Sequence, residues 1–299
     1  MKRFIRNIIQ ILVLALLVLA VADFAYTKVL VNSAPTDKIA LLKSLKGKKF
    51  NYVFLGSSRV NNTIIPAEIE KQTGKTSVNF GVNSSRPRDI LAFAKLLVDN
   101  NITCDSIFVQ VDYGFNHLDG SSFVNFESMP YLHQEPILAQ RISDLPQAKA
   151  FQFVPFFRYA FYDQQFGCRK VIKKLMEKSP SSLELSGGYT MLKGHGKLGN
   201  YELPKTVAQR NRYVDELEKL ASEHKLNIVY FISPFAHSVR NKDFFGKLKT
   251  RIPKLHDYSQ AIATDSFFSN ESHLNHDGAK VFTNLVIRDL IGKRKDKDR

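Results

Sequence analysis

An α/β fold, its mostly parallel sheet covered by helices on both faces, is predicted by three features of this sequence. Short apolar runs of strand character alternate with segments of helical periodicity, the pattern that βαβ crossovers impose on a parallel sheet. Those runs stop at glycine or polar residues, as strands do when they give way to turns. Hydrophobic residues make up 44% of the 299, which supplies a packed core and excludes a disordered chain.

The first element is not part of the sheet. Lys2, Arg3 and Arg6 precede an uninterrupted apolar run from Ile11 to Ala22, extended backward by Ile8 and Ile9. Positive charge ahead of such a run holds the N-terminus in the cytoplasm and sends the rest across the membrane. A spanning helix needs about 20 mainly apolar residues and a signal-peptide core about 7–15, and this run lies between them. Ala20-Val21-Ala22 also fits a cleavage site. Against cleavage, the apolar run enters that site without a polar break, and Phe24 and Tyr26 suit an interfacial belt. Residues 1–26 are read as a membrane anchor or a signal segment, an uncleaved transmembrane anchor being favoured over removal after Ala22. Either way the main domain is extracytoplasmic, periplasmic or at the cell surface.

Residues 27–49 read as a lysine-dotted linker with one short helical stretch near Ile39–Leu45. The α/β domain is expected over 50–292. Strands are predicted at Asn51–Gly56, Ser77–Phe80, Ser106–Val111 and Asn227–Ile232. Helices are predicted at Ala67–Thr73, Arg88–Asp99, Lys205–Lys225 and Val239–Arg251, with a last one from Asp277 to just before Gly292. The stretch 118–200 breaks the alternation. Rich in phenylalanine and tyrosine and punctuated by Pro130, Pro136, Pro146 and Pro155, it reads as a partly helical insertion. Such an insertion forms either a cap beside the site or a local aromatic subcore. A basic tail closes the chain at 293–299.

Lysine and arginine exceed the acids by 43 to 28, a formal charge of +15. The excess favours anionic lipid or polymer through long-range attraction, but no nucleic-acid module accompanies it, so nucleic acid is not an expected partner. Cys104 and Cys168 lie too far apart in sequence for a closely paired zinc cluster. They are left as one disulfide or two unpaired thiols. No histidine–acid cluster has ligand spacing, so neither metal nor cofactor is expected.

In parallel sheets ligands bind beyond the carboxyl ends of the strands, which directs attention to Gly56-Ser57-Ser58-Arg59 after the first strand. A serine on such a turn exposes its hydroxyl near helix N-terminal amides, although serines there often serve only as turns or caps. Near the C-terminus stands Asn270-Glu271-Ser272-His273-Leu274-Asn275-His276-Asp277. His273 before a helix start can act as general base toward Ser58, while Asn275 or Asp277 closes the helix. Arg59 is placed either to bind an anionic group or to form a structural salt bridge.

Four short blocks, in order, resemble the SGNH (GDSL-type) hydrolases. Gly56-Ser57-Ser58 is similar to their Gly-Asp-Ser block, which implies that Ser58 is the nucleophile. Asn79-Phe80-Gly81-Val82-Asn83-Ser84 is similar to the second block, and the resemblance puts the Ser84 amide in the oxyanion hole where the family has glycine. Gly114-Phe115-Asn116-His117 is similar to the Gly-x-Asn-Asp block, implying Asn116 as the side-chain oxyanion donor. Asn270-Glu271-Ser272-His273 stands where the family reads Asp-x-x-His, so His273 matches and the acid is replaced by Asn270. The fold implied is a three-layer, flavodoxin-like α/β/α sandwich.

Asn270 can orient a histidine but brings no charge to stabilise its imidazolium, unless Glu271 or Asp265 swings in. The Gly-Ser-Ser start and the N-terminal anchor look most like the exported SGNH-like proteins of alginate O-acetylation and teichoic-acid D-alanylation. That resemblance implies an acylated carbohydrate or glycopolymer as substrate and a polytopic membrane acyltransferase as partner. The expectation is a serine-dependent acyl-ester hydrolase or transacylase. Its alternatives are a catalytically lapsed binding or assembly protein of the same fold, and a basic membrane-surface adaptor.

Overall fold

The computed structural model describes residues 1–196 and 198–292; the tail at 293–299 lies outside the described residues. In chain order the first elements are α1 (Lys2–Asn32), α2 (Lys38–Ser44), β1 (Lys49–Leu55), α3 (Ser58–Asn61), α4 (Pro66–Thr73), β2 (Ser77–Asn79), α5 (Pro87–Asp99) and β3 (Thr103–Gln110). Short helices follow: α6 (Ser122–Ser128), α7 (Pro136–Arg141), α8 (Ala148–Phe153), α9 (Phe157–Phe161), α10 (Asp163–Phe166), α11 (Cys168–Met176) and α12 (Ser182–Leu185). The chain then forms α13 (Arg212–His224), β4 (Ile228–Ile232), α14 (Asp243–Lys249), β5 (His256–Asp257), β6 (Phe268–Asn270), β7 (His273–Leu274) and α15 (His276–Val286). The chain divides into two units. One joins Met1–Pro35 to Asn125–Ser181; the other joins Thr36–Val124 to the chain from Ser182 onward.

The second unit is the predicted α/β domain. Its five strands are all parallel, in the order β2-β1-β3-β4-β5. This is the doubly wound order, whose topological switch falls between β1 and β3. Val53 is registered with Val78 on one side and Ile107 on the other, and Val109 with Tyr230. Tyr52, Phe54, Phe108 and Phe231 point to one face, where Ile69 of α4 and Phe282 and Val286 of α15 cover them. On the opposite face Val109 and Tyr230 meet Ile90 of α5 and Tyr213 and Leu217 of α13. Both faces are therefore dry, which explains why the strands read as continuous apolar runs rather than alternating ones.

Helix boundaries moved where a polar side chain found a tertiary partner. The long helix expected from Lys205 starts only at Arg212, because Asn211 caps it through the Tyr213 amide (3.0 Å) and also donates to the Phe115 carbonyl at 2.8 Å. The helix expected from Val239 starts at Asp243. Asn241 interrupts it with φ +64° and donates to the carbonyls of Leu203 and Pro204, both at 2.8 Å. The strand β5 was not predicted; two exposed residues carry no apolar pattern. The stretch expected as a linker is mostly folded. Its first residues extend α1 to Asn32, and α2 buries Ile39, Ala40, Leu41 and Leu42 with Lys38, whose ammonium donates to the carbonyls of Asn79 (2.9 Å) and Gly188.

The first unit combines α1 with the larger part of the expected insertion. Phe4 to Phe24 presents apolar side chains around the helix with none buried, so α1 is long and apolar enough to cross a membrane, a property that anchors and signal sequences share. Its last turns are packed instead. Arg158, 1% exposed, bridges Asp23 at 2.6 Å and Thr27 Oγ1 at 2.9 Å, and the Tyr159 hydroxyl lies 2.7 Å from Thr27. Tyr26 meets the Phe156 ring edge-on at 4.9 Å. Around them Phe126, Phe151, Tyr162 and Phe166 form an aromatic subcore. Of the insertion read over 118–200, only Asn125–Ser181 belongs here; residues from Ser182 on pack in the α/β unit. Both cysteines are free, Cys104 half-buried and Cys168 exposed.

Candidate active site

The turn after β1 is built so that one serine caps the next helix and the other turns its hydroxyl to a histidine. A Cβ on Gly56 would stand 2.5 Å from Val60 Cγ2 and 2.8 Å from Gln110 Cβ, so only glycine lets β1 turn this tightly against β3. Ser57 is the cap of α3: its hydroxyl accepts from the Arg59 amide (3.2 Å) and donates to Gln110 Oε1 (2.9 Å). Ser58 is thereby relieved of capping. Half-buried, it sits at the carboxyl end of β1, beside the topological switch point.

His273 reaches Ser58 from a short hairpin. β6 and β7 pair antiparallel with Asn270 registered opposite His273, and Asn275, with its side chain accepting from the Gly278 amide, caps the following helix. The Ser58 hydroxyl lies 2.6 Å from His273 Nε2, and Nδ1 lies 2.9 Å from Asn270 Oδ1. The orientation of the Asn270 amide is decided by the backbone. The amides of Ser272 and His273, which can only donate, both point at Asn270 Oδ1 at 3.0 Å. Turning the amide over would set its NH₂ against two N–H groups. Asn270 Oδ1 therefore faces the imidazole, holds the proton on Nδ1 and leaves the Nε2 lone pair aimed at Ser58. Ser272 Oγ, 3.0 Å from Nδ1, joins the same cluster.

Burial, and then the positive charge of Arg59, lower the His273 pKa from 6.5 to about 4, with Glu271 and Asp112 opposing. Neither acid considered as a substitute stands on the ring. Glu271 accepts from the Gly199 amide at 3.3 Å, and Asp265 pairs with His237 at 2.7 Å.

Arg59 points inward, away from any ligand role. It is 2% exposed, pairs with Asp112 at 3.2 Å, and donates to the carbonyls of Ser233 and of Pro234 (2.8 Å). Its guanidinium lies 3.2 Å from the centre of the Phe235 ring. Of the two fates considered for Arg59, the structural salt bridge is the one adopted. Behind the serines, Gln110 Nε2 donates to Asp112 Oδ2 (2.7 Å), so a buried chain runs Ser57–Gln110–Asp112–Arg59. Gln110 and Asp112 were missed in the sequence. The available signal was a pair of polar residues flanking Val111 at the end of an apolar strand.

Ser84 is exposed and adopts φ +57°, the left-handed conformation that glycine takes without strain. Asn116 is committed to the chain: Nδ2 donates to the Thr206 carbonyl and Oδ1 accepts from the Ala208 amide, both at 2.8 Å. The structure thus brings Ser58, His273 and Asn270 together, and gives Asn116 and Arg59 other partners. His276 bonds the Tyr189 hydroxyl at 3.0 Å rather than standing free in solvent. Among the described residues no three His, Cys, Asp or Glu side chains gather as a metal site. Compared with known proteins, the chain matches no family model, and no curated protein sequence matches it.

Proposed function

We infer that this protein is a serine-dependent acyl-ester hydrolase or transacylase of SGNH type, anchored by α1 with its α/β unit outside the cytoplasm. The observation that carries the reading is the Ser58–His273–Asn270 relay, with 2.6 Å between hydroxyl and Nε2 and 2.9 Å between Nδ1 and Oδ1. Its tautomer is fixed by backbone donors. In this reading Ser58 Oγ attacks the acyl carbonyl carbon while its proton passes to His273 Nε2. The tetrahedral oxyanion is received by the amides of Ser58 and Ser84; Asn116 joins them only by releasing Thr206. Collapse breaks the ester C–O bond, and the imidazolium returns the proton to the leaving alkoxide. An imidazolium of pKa about 4 is a strong donor for that step and a costly intermediate in the first. Water or a sugar hydroxyl then takes the acyl group by the reverse sequence. The blocks that resemble the exported SGNH-like proteins of polymer acylation support an acylated cell-surface carbohydrate as substrate, and a polytopic acyltransferase as partner.

A second reading, a lapsed binding or assembly protein of the same architecture, rests on Asn270. Without a carboxylate on the ring, the burial of the imidazolium is offset only in part, by Glu271 and Asp112. Covalent labelling by a fluorophosphonate, followed by intact mass, separates the two. Labelled wild type, with labelling lost in Ser58→Ala and His273→Ala of unchanged fold, supports the enzyme. Folded wild type that takes no label supports the binding protein.

A further inference from the structure

We propose that the segment Phe153–Met176 is a membrane-surface module that lies in the headgroup layer of an anionic bilayer, beside the outer end of α1. It rests on the reading of α1 as a membrane span, and goes beyond it by assigning a lipid contact to a part of the chain far along the sequence. Between Arg6 and Asp23 α1 carries no charge, a length of about 24 Å at 1.5 Å per residue, to which the flanking residues add. Asp23 ends that stretch and is the residue Arg158 binds. Arg158 therefore fixes the 153–176 segment at the level where the apolar stretch of α1 ends, which is where a bilayer gives way to its headgroups.

At that level the segment exposes what a soluble protein buries. Phe153 is 76% exposed, Leu175 64% and Met176 78%, with Val154, Phe161 and Ile172 near half. The sequence of α11 sorts these residues by face. At 3.6 residues per turn, Val171, Leu175, Cys168, Ile172 and Met176 fall on one arc of about 140°. Arg169, Lys173, Lys170 and Lys174 fill the other. Only Val171, at one edge of the apolar arc, is buried. An amphipathic helix with a lysine-rich polar face and an open apolar face is the form that lies in a membrane interface. The charge identifies the partner: from Cys168 to Lys178 five basic residues stand against one acid, Glu177, which favours anionic headgroups. A neutral protein groove would explain the apolar arc but not the lysines opposite it.

The absence of tryptophan from the chain makes single tryptophans clean reporters. Full-length protein carrying Leu14→Trp, Ile172→Trp, Leu175→Trp or, as a control in the α/β unit, Met191→Trp is placed in vesicles of phosphatidylglycerol and phosphatidylcholine brominated high in the acyl chain. Quenching several-fold stronger for Ile172→Trp and Leu175→Trp than for Met191→Trp supports the proposal. So does its weakening when Lys170 and Lys173 are both changed to Glu. Quenching of Leu14→Trp alone overturns it while leaving the anchor intact. Blue-shifted but unquenched emission at Ile172→Trp also overturns it, in favour of a protein that covers this face. Loss of quenching at Leu14→Trp defeats the anchor reading itself.

Discussion

Asn270→Asp should convert a weak relay into a strong one, and the size of the gain follows from the geometry. His273 sits at a pKa of about 4 because burial and Arg59 penalise its charged form. Relative to an ordinary imidazole, forming the imidazolium there costs about 3 kcal/mol more. A carboxylate oxygen in place of Asn270 Oδ1 would stand 2.9 Å from Nδ1. With charge centres near 4 Å and an effective dielectric of about 20, the attraction is about 4 kcal/mol. The amides of Ser272 and His273 already point at that oxygen, so the new carboxylate keeps part of its solvation. Allowing for the remaining desolvation, about 2–4 kcal/mol reaches the transition state, or about 30- to 1,000-fold in rate. The assay is the second-order rate of fluorophosphonate inactivation from pH 3 to 9, with the His273 ring proton followed by NMR. The midpoint should rise from about 4 to between about 5.5 and 7, and the rate above that midpoint should rise with it. A midpoint that stays put would refute the geometry; a raised midpoint with an unchanged rate would show that imidazolium formation does not limit the reaction.

Asp112→Ala strands a fully buried guanidinium, and chemical denaturation should register a loss of about 3–5 kcal/mol. Stability should also respond to acid through His273. Its folded pKa lies below the unfolded value, so between pH 6.5 and about 4 the unfolded chain takes up a proton that the native one refuses. Stability therefore falls as pH drops through that window, by at most about 3 kcal/mol, and is level on either side. The difference between wild type and His273→Gln in pH-dependent unfolding measures it, and a flat difference would contradict the depressed pKa. Asn116→Ala should cost about 1–2 kcal/mol in stability by freeing the Ala208 amide and the Thr206 carbonyl, with little change in labelling rate. A drop of about 10²–10³ in rate would instead place Asn116 in the oxyanion hole.

The sheet was legible because its signal is local. A strand buried on both faces is a short apolar run, and β1, β2, β3 and β4 were found within a few residues. That Ser58 and His273 would meet was legible for a related reason, since each follows a strand or precedes a helix at the carboxyl end of the sheet. What escaped depends on partners distant in sequence. Arg59 looks the same on paper whether it faces a substrate or Asp112, fifty-three residues later. Asn116 looks like an unoccupied donor in the sequence, and only the fold shows it bonded to Thr206 and Ala208. The orientation of Asn270, the most consequential detail of the relay, is set by two main-chain amides in a hairpin too short to show any alternation. The insertion could not be assigned for the same reason: its anchor points are Asp23 and Thr27, more than a hundred residues upstream.

The buried guanidinium behind the serine turn has one more consequence. Its positive charge is permanent, is held by three acceptors and an aromatic ring, and is felt at His273. A fixed cation that disfavours an imidazolium favours, by the same field, any anion that develops nearby. In the proposed reaction the turn therefore trades base strength for anion stability, shifting the burden from proton removal toward the tetrahedral intermediate. Acyl donors whose carbonyl is already activated make little demand on the base and profit most from such a field, whereas ordinary alkyl esters lose on the first count. Substrate preference in this protein would then be written into a residue that touches no substrate.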